Sequence, residues 1–141
     1  MANRPPGVTG SSDYENPCDM DNIAEALGVD VKSWSYKTDC CGASFSVSRQ
    51  DIVFTLVRDL YDKALEAGAE CIVVSCQMCQ ANLDLYQQDI STYFGKNYDI
   101  PVFYFTELIG LALGLPGTST WLKRHMVDPF PFLKRKKLLG Q

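Results

Sequence analysis

No run of about 18 or more apolar residues occurs in the sequence, so no transmembrane helix is expected. No charged n-region precedes an apolar stretch, so no secretory signal is expected either. Basic charge is not in surplus: 13 Lys and Arg stand against 17 Asp and Glu, a net charge of -4. That balance offers no global electrostatic case for binding nucleic acid. Internal repeats and low-complexity tracts are absent. Histidine occurs once, as His125, far along the chain, where a surface position is expected rather than metal ligation. A soluble, cytoplasmic protein is expected unless a partner holds it at a membrane.

What is present suits a globular fold. The chain has 141 residues, 46% apolar and 21% charged, the size and balance of one domain. Six cysteines is a high number for such a chain. In a secreted mini-protein they would suggest disulfides. In a long, unsignalled chain able to build its own core, metal binding or redox chemistry is the better expectation.

Periodicity predicts the order α-β-α-β-α-β-α. Residues 1–16 are rich in Pro, Gly and Ser and are expected to be irregular. After Asn16-Pro17, a first helix carries Met20, Ile23, Ala24 and Leu27 on one face and stops at Gly28. Val29 to Ser35 has strand-like alternation. Ser48 and Asp51 form a capping-box-like start to a second helix. Its stripe is Ile52, Val53, Leu56, Val57, Leu60 and Ala64, and Gly68 ends it. Cys71 to Ser75 and Pro101 to Phe105 read as buried parallel strands. A third helix is predicted from Gln77 to Phe94, and Thr106 is expected to cap a short apolar helix. A short helix is predicted from Trp121, with an extended basic tail over 126–141. The whole chain, 1–141, thus reads as a single α/β domain, a parallel sheet with helices on both faces, begun as though a first strand were missing.

The chemistry concentrates in four cysteines. Cys40 and Cys41 are adjacent in a loop after a strand, and Cys76 and Cys79 form Cys-x-x-Cys between a strand and a helix. Loops at the carboxyl ends of parallel strands converge on one edge, so both pairs are expected there. The helix start favours thiolate at Cys76 and Cys79 and would stabilise an anionic cluster. Gly42 would let the backbone pass close to a bulky cofactor. Four thiolates can hold one zinc ion, but adjacent residues rarely aim both side chains at one small ion without strain, whereas a multi-iron cluster offers separate corners. An iron–sulfur cluster, structural zinc and a metal-free redox dithiol all remain open on the residues alone. Cys71 is expected to be a buried small hydrophobe. Cys18 is expected to be incidental, or to stand in as an extra ligand. The run Lys134-Arg-Lys-Lys137 is expected to be a solvated tail, or a dock for an acidic partner.

The stretches KTDCCGAS, IVVSCQMCQANLD and IPVFYFTELIGLALGLP resemble the C-terminal CCG cysteine-rich domain of the heterodisulfide reductase B-type subunit. RPPGVTG and NPCDMDNIAEALG fit the same family. The resemblance implies a noncubane 4Fe-4S cluster held by Cys40, Cys41, Cys76 and Cys79, with one earlier cysteine. It implies reduction of a disulfide such as CoM-S-S-CoB, with electrons from a ferredoxin-like iron–sulfur subunit and a flavin subunit. The family's first ligand lies in a Gly-Cys pair shortly before the Arg-Pro segment, a position that here falls just ahead of Met1. An N-terminally truncated domain, from a fragment, a misplaced start or a split gene, is therefore expected. Gln77 replaces the usual proline, a change expected to alter the helix start and not ligation. A zinc-stabilised interaction module without redox activity is the alternative.

Overall fold

Two short parallel strands form the centre of the fold. The computed structural model describes residues 16–138, so the segment expected to be irregular lies outside the described residues apart from Asn16. Helix α1 spans Asp19–Ala26, a 3₁₀ turn Ala43–Phe45, and α2 Gln50–Glu66. Strand β1 (Ile72–Val74) leads to α3 (Gln77–Leu85) and α4 (Gln87–Phe94). Strand β2 (Val102–Tyr104) leads to α5 (Phe105–Ala112), α6 (Thr118–Leu122) and α7 (Phe130–Arg135). The strands pair in the register Ile72↔Val102, Val73↔Phe103 and Val74↔Tyr104.

Side chains alternate across a strand, and each face of this small sheet has its own core. Ile72, Val74 and Val102 pack with Val53, Val57, Leu60 and Tyr61 of α2, Leu83 of α3 and Ile90 of α4. Val73 and Phe103 pack on the other side with Leu108, Leu122, Phe132 and Leu133 of α5 to α7. Helices therefore cover both faces of a parallel sheet, as the α/β pattern predicts. No helix among the described residues is long and apolar enough to cross a membrane.

Helix α2 is the largest contributor to the first core. Val53, Val57 and Tyr61 are wholly buried, and full burial of an aliphatic side chain such as valine stabilises by about 1.5–3 kcal/mol. The helix ends where expected. Gly68 adopts φ +74°, its N–H bonds to the Leu65 carbonyl at 2.9 Å, and the Ala69 N–H bonds to Ala64 at 3.0 Å. This Schellman arrangement needs a left-handed residue, which glycine supplies without steric cost. The start differs from expectation: Arg49 is the N-cap, with no side-chain cap. Its guanidinium engages Asp51 at 2.7 Å instead.

Four other expectations are corrected. Val29 to Ser35 forms no strand. The Val29 N–H closes the end of α1 on the Ala24 carbonyl at 3.0 Å, and the Val29 side chain packs against the second core. Hydrophobic alternation is satisfied there by packing, without a ladder. The single helix predicted over Gln77–Phe94 divides at Tyr86. The Leu83 carbonyl, which an unbroken helix would give to the Gln87 N–H, accepts from Tyr61 Oη at 2.6 Å and Gln87 Nε2 at 3.0 Å. Thr106 is not a cap but lies within the first turn of α5, where Glu107 reaches back to accept from the Tyr104 N–H at 2.8 Å. The basic tail is not extended: α7 places Phe132 and Leu133 in the core.

Candidate metal centre

Cys76 follows β1 closely and is the N-cap of α3, so Cys79 falls in the first turn of that helix. Cys40 and Cys41 lie just before the 3₁₀ turn, which packs against both α2 and α3. The two cysteine-bearing segments therefore meet. The Cys79 thiol donates to the Cys41 sulfur at 3.3 Å. Cys41 is fully buried, Cys79 is partly buried, and Cys40 and Cys76 are exposed. The Tyr104 hydroxyl donates to the Ser75 carbonyl at 2.8 Å and ties the end of β2 to this edge.

The electrostatics single out Cys41. The donated proton of Cys79, the backbone N–H of Ala43 and the amide of Asn82 together outweigh burial and lower its thiol to about 6. Cys79 is raised, chiefly because its proton is held against Cys41, and further by burial and by its neighbour Cys76. The hydrogen bond thus favours thiolate at Cys41 over thiolate at Cys79. At Cys79 the hydrogen bond to Cys41 opposes the thiolate that the helix start was expected to favour.

Gly42 is held closely by its own surroundings. It adopts φ +74° and is buried, and a Cβ there would meet Leu56 Cδ1 at 2.8 Å. The close approach is to α2. Its N–H also donates to Cys40 Sγ at 3.4 Å. The glycine therefore shapes the loop that presents the paired cysteines.

The remaining cysteines stand apart from the pair. Cys71 packs against the second core, and burial pushes its thiol up to about 11. Cys18 is exposed and donates to the Asn16 carbonyl at 3.3 Å. Lys37, from the loop before Cys40, contacts both Cys18 Sγ at 4.0 Å and Asp21. His125 is not at the surface. Its side chain is only 4% exposed, and Nε2 lies 3.0 Å from Glu107. Arg135 and Lys136 of the basic run pair with Glu70.

Sequence reading missed three polar side chains. Asn82 is buried and donates from Nδ2 to Cys41 Sγ at 3.7 Å, while Ser46 Oγ donates to its Oδ1 at 3.2 Å. It lies three residues after Cys79, a spacing that places both on one helix face, and that was the available signal. Gln87 bonds both the N–H and the carbonyl of Ile100. Asp84 accepts from the backbone of Met126 and Val127. Neither of these two has a local sequence signature.

Cys40, Cys41, Cys76 and Cys79 are the side chains here that could hold a metal group. Two segments bring thiols to one edge, one pair is in contact, and each segment adds an exposed cysteine. Among the described residues, no group of three or more His, Cys, Asp or Glu side chains is gathered for a single metal ion.

The profile of the CCG cysteine-rich domain family matches residues 9–84. The chain is 31% identical over 125 residues to the B-type subunit of the ferredoxin:CoB-CoM heterodisulfide reductase of Methanosarcina mazei, covering 87% of this chain and 42% of that protein. It is 29% identical over 125 residues to the 8-methylmenaquinol:fumarate reductase membrane anchor subunit of Wolinella succinogenes, covering 89% and 44%. A protein of Archaeoglobus profundus, itself described as like the heterodisulfide reductase B-type subunit, is 28% identical over 101 residues, covering 70% and 34%. The chain spans less than half the length of these relatives. With the family profile matched across more than half of its length and with relatives of the heterodisulfide reductase B type, the chain belongs to the CCG cysteine-rich domain family.

Proposed function

We propose that this chain is the iron–sulfur part of a cytoplasmic heterodisulfide-reductase-type oxidoreductase, holding a noncubane 4Fe-4S cluster through Cys40, Cys41, Cys76 and Cys79. The observation that carries the reading is the 3.3 Å contact between Cys41 and Cys79, which joins the Cys-Cys-Gly loop to the Cys-x-x-Cys helix start. The similarity to B-type subunits supports the same reading. When bound, such a cluster supplies one-electron steps to a disulfide, whose cleavage needs two electrons.

This chain's residues prepare the site. Metal ligation requires thiolate, so binding releases the proton that Cys79 donates to Cys41. Cys41 already carries the anionic share of that pair. Gly42 fixes the loop so that Cys41 faces inward while Cys40 remains exposed. The exposed Cys40 and Cys76 leave the edge open to a disulfide such as CoM-S-S-CoB. A ferredoxin-like iron–sulfur subunit and a flavin subunit supply the electrons.

Anaerobic reconstitution of the full chain, followed by iron and acid-labile sulfide assay, tests the reading. Iron and sulfide bound together are expected. A colourless, redox-silent protein with stoichiometric zinc would point to an interaction module instead. A reversible Cys76–Cys79 disulfide, with Cys40 and Cys41 replaceable, would point to a metal-free oxidoreductase.

A further inference from the structure

We infer that Asn82 is a positioning residue for the sulfur of Cys41, donating to it through the side-chain amide while Ser46 fixes the orientation of that amide. The inference rests on the cluster reading above.

Asn82 is 3% exposed and Cys41 is fully buried. A buried amide must satisfy both its ends, one acceptor and one donor. Nδ2 lies 3.7 Å from Cys41 Sγ, and Ser46 Oγ lies 3.2 Å from Oδ1. A hydroxyl can donate or accept, so Ser46 alone would tolerate either orientation. A ligated thiolate only accepts. Its acceptor character turns the NH₂ end toward sulfur, and the Ser46 proton then completes the other end.

The parts come from both cysteine segments. Ser46 ends the 3₁₀ turn that follows Gly42, and Asn82 sits three residues beyond Cys79 on α3. Ser46 and Asn82 therefore link the two segments and place a donor on one sulfur. Hydrogen bonds to sulfur are among the factors that set iron–sulfur potentials. Reduction adds negative charge, which a donor stabilises, so Asn82 raises the potential of the centre. A residue present only for packing would affect stability and leave the potential unchanged.

The test is a spectroelectrochemical titration of the full chain, reconstituted anaerobically with iron and sulfide, with the metal content of each sample measured. Asn82→Leu is expected to lower the midpoint potential at unchanged iron content. Ser46→Ala is expected to lower it by less. Asn82→Asp is expected to make the potential more steeply pH-dependent than in the wild type, because a carboxyl donates only when protonated. If Asn82→Leu does not fold, Ser46→Ala and Asn82→Asp carry the test. Unchanged potentials at equal iron content overturn the inference and leave the cluster reading standing. A wild-type chain that takes up no iron overturns both.

Discussion

The hydroxyl of Tyr61 in α2 donates to the carbonyl of Leu83 in α3 at 2.6 Å, at the point where the cysteine-bearing helix gives way to α4. The core helix thereby determines where the site helix ends. Gln87 completes the junction by donating to Leu83 at 3.0 Å and by bonding both backbone groups of Ile100, just ahead of β2.

Removing Gln87 should accordingly cost more than removing the Tyr61 hydroxyl. Tyr61→Phe leaves Leu83 one remaining partner and is expected to cost about 1 kcal/mol. Gln87→Leu leaves the Ile100 N–H and carbonyl without their partners, at about 1–3 kcal/mol each. Urea unfolding of the two variants checks the order; equal losses would contradict the larger share assigned to Gln87.

His125 gives the fold a pH dependence of definite sign. Its hydrogen bond to Glu107 raises its pKa from the ordinary 6.5, reinforced by the charges of Glu107 and Asp84 and opposed by burial. A cation with a raised folded-state value contributes its full stability below the unfolded value. That contribution fades as pH rises through the folded one. Stability should therefore fall above about pH 6.5 in the wild type, and Glu107→Gln should flatten that part of the profile. Parallel profiles for the two proteins would contradict this assignment.

Gly42→Ala should disturb the cysteine loop. The left-handed conformation alone costs a non-glycine residue about 1–2 kcal/mol, and the added Cβ meets Leu56 Cδ1 at 2.8 Å. Leu56→Ala in the same chain should remove the clash but not the backbone cost. Thermal melts of the single and double variants would measure both parts, and a Gly42→Ala protein as stable as the wild type would rule them out.

Much of this was legible in the sequence, for reasons that differ by element. The stripe on α2 and the apolar runs of β1 and β2 are repeated signals, and many residues report the same answer. Gly68 is a single residue, but its left-handed φ leaves little choice. Val29 to Ser35 misled because alternation records burial and does not distinguish a paired strand from a packed segment. The split at Tyr86 was hidden because it depends on Tyr61, far away in sequence. His125 was misplaced because its partner Glu107 comes from α5, outside its own segment. The two cysteine segments were expected to meet at one edge, but the strand expected before Cys40 does not form, and the Cys41–Cys79 contact and the buried amide come from the packing of the 3₁₀ turn against α3.

Cys71 supplies an internal control for the site. It lies against the second core with its thiol raised by burial, away from the Cys41–Cys79 pair. Cys71→Ser should cost about 1 kcal/mol of stability through a buried hydroxyl and leave metal uptake unchanged. Loss of metal equal to that of Cys76→Ser would place Cys71 among the ligands.

The most direct measurement is metal and acid-labile sulfide analysis of the protein isolated under strict anaerobiosis, wild type beside Cys41→Ser. Iron and sulfide together are expected in the wild type, and the loss of both in the variant. Zinc without sulfide in the wild type, or iron and sulfide retained in Cys41→Ser, would contradict the assignment of the cluster to these cysteines.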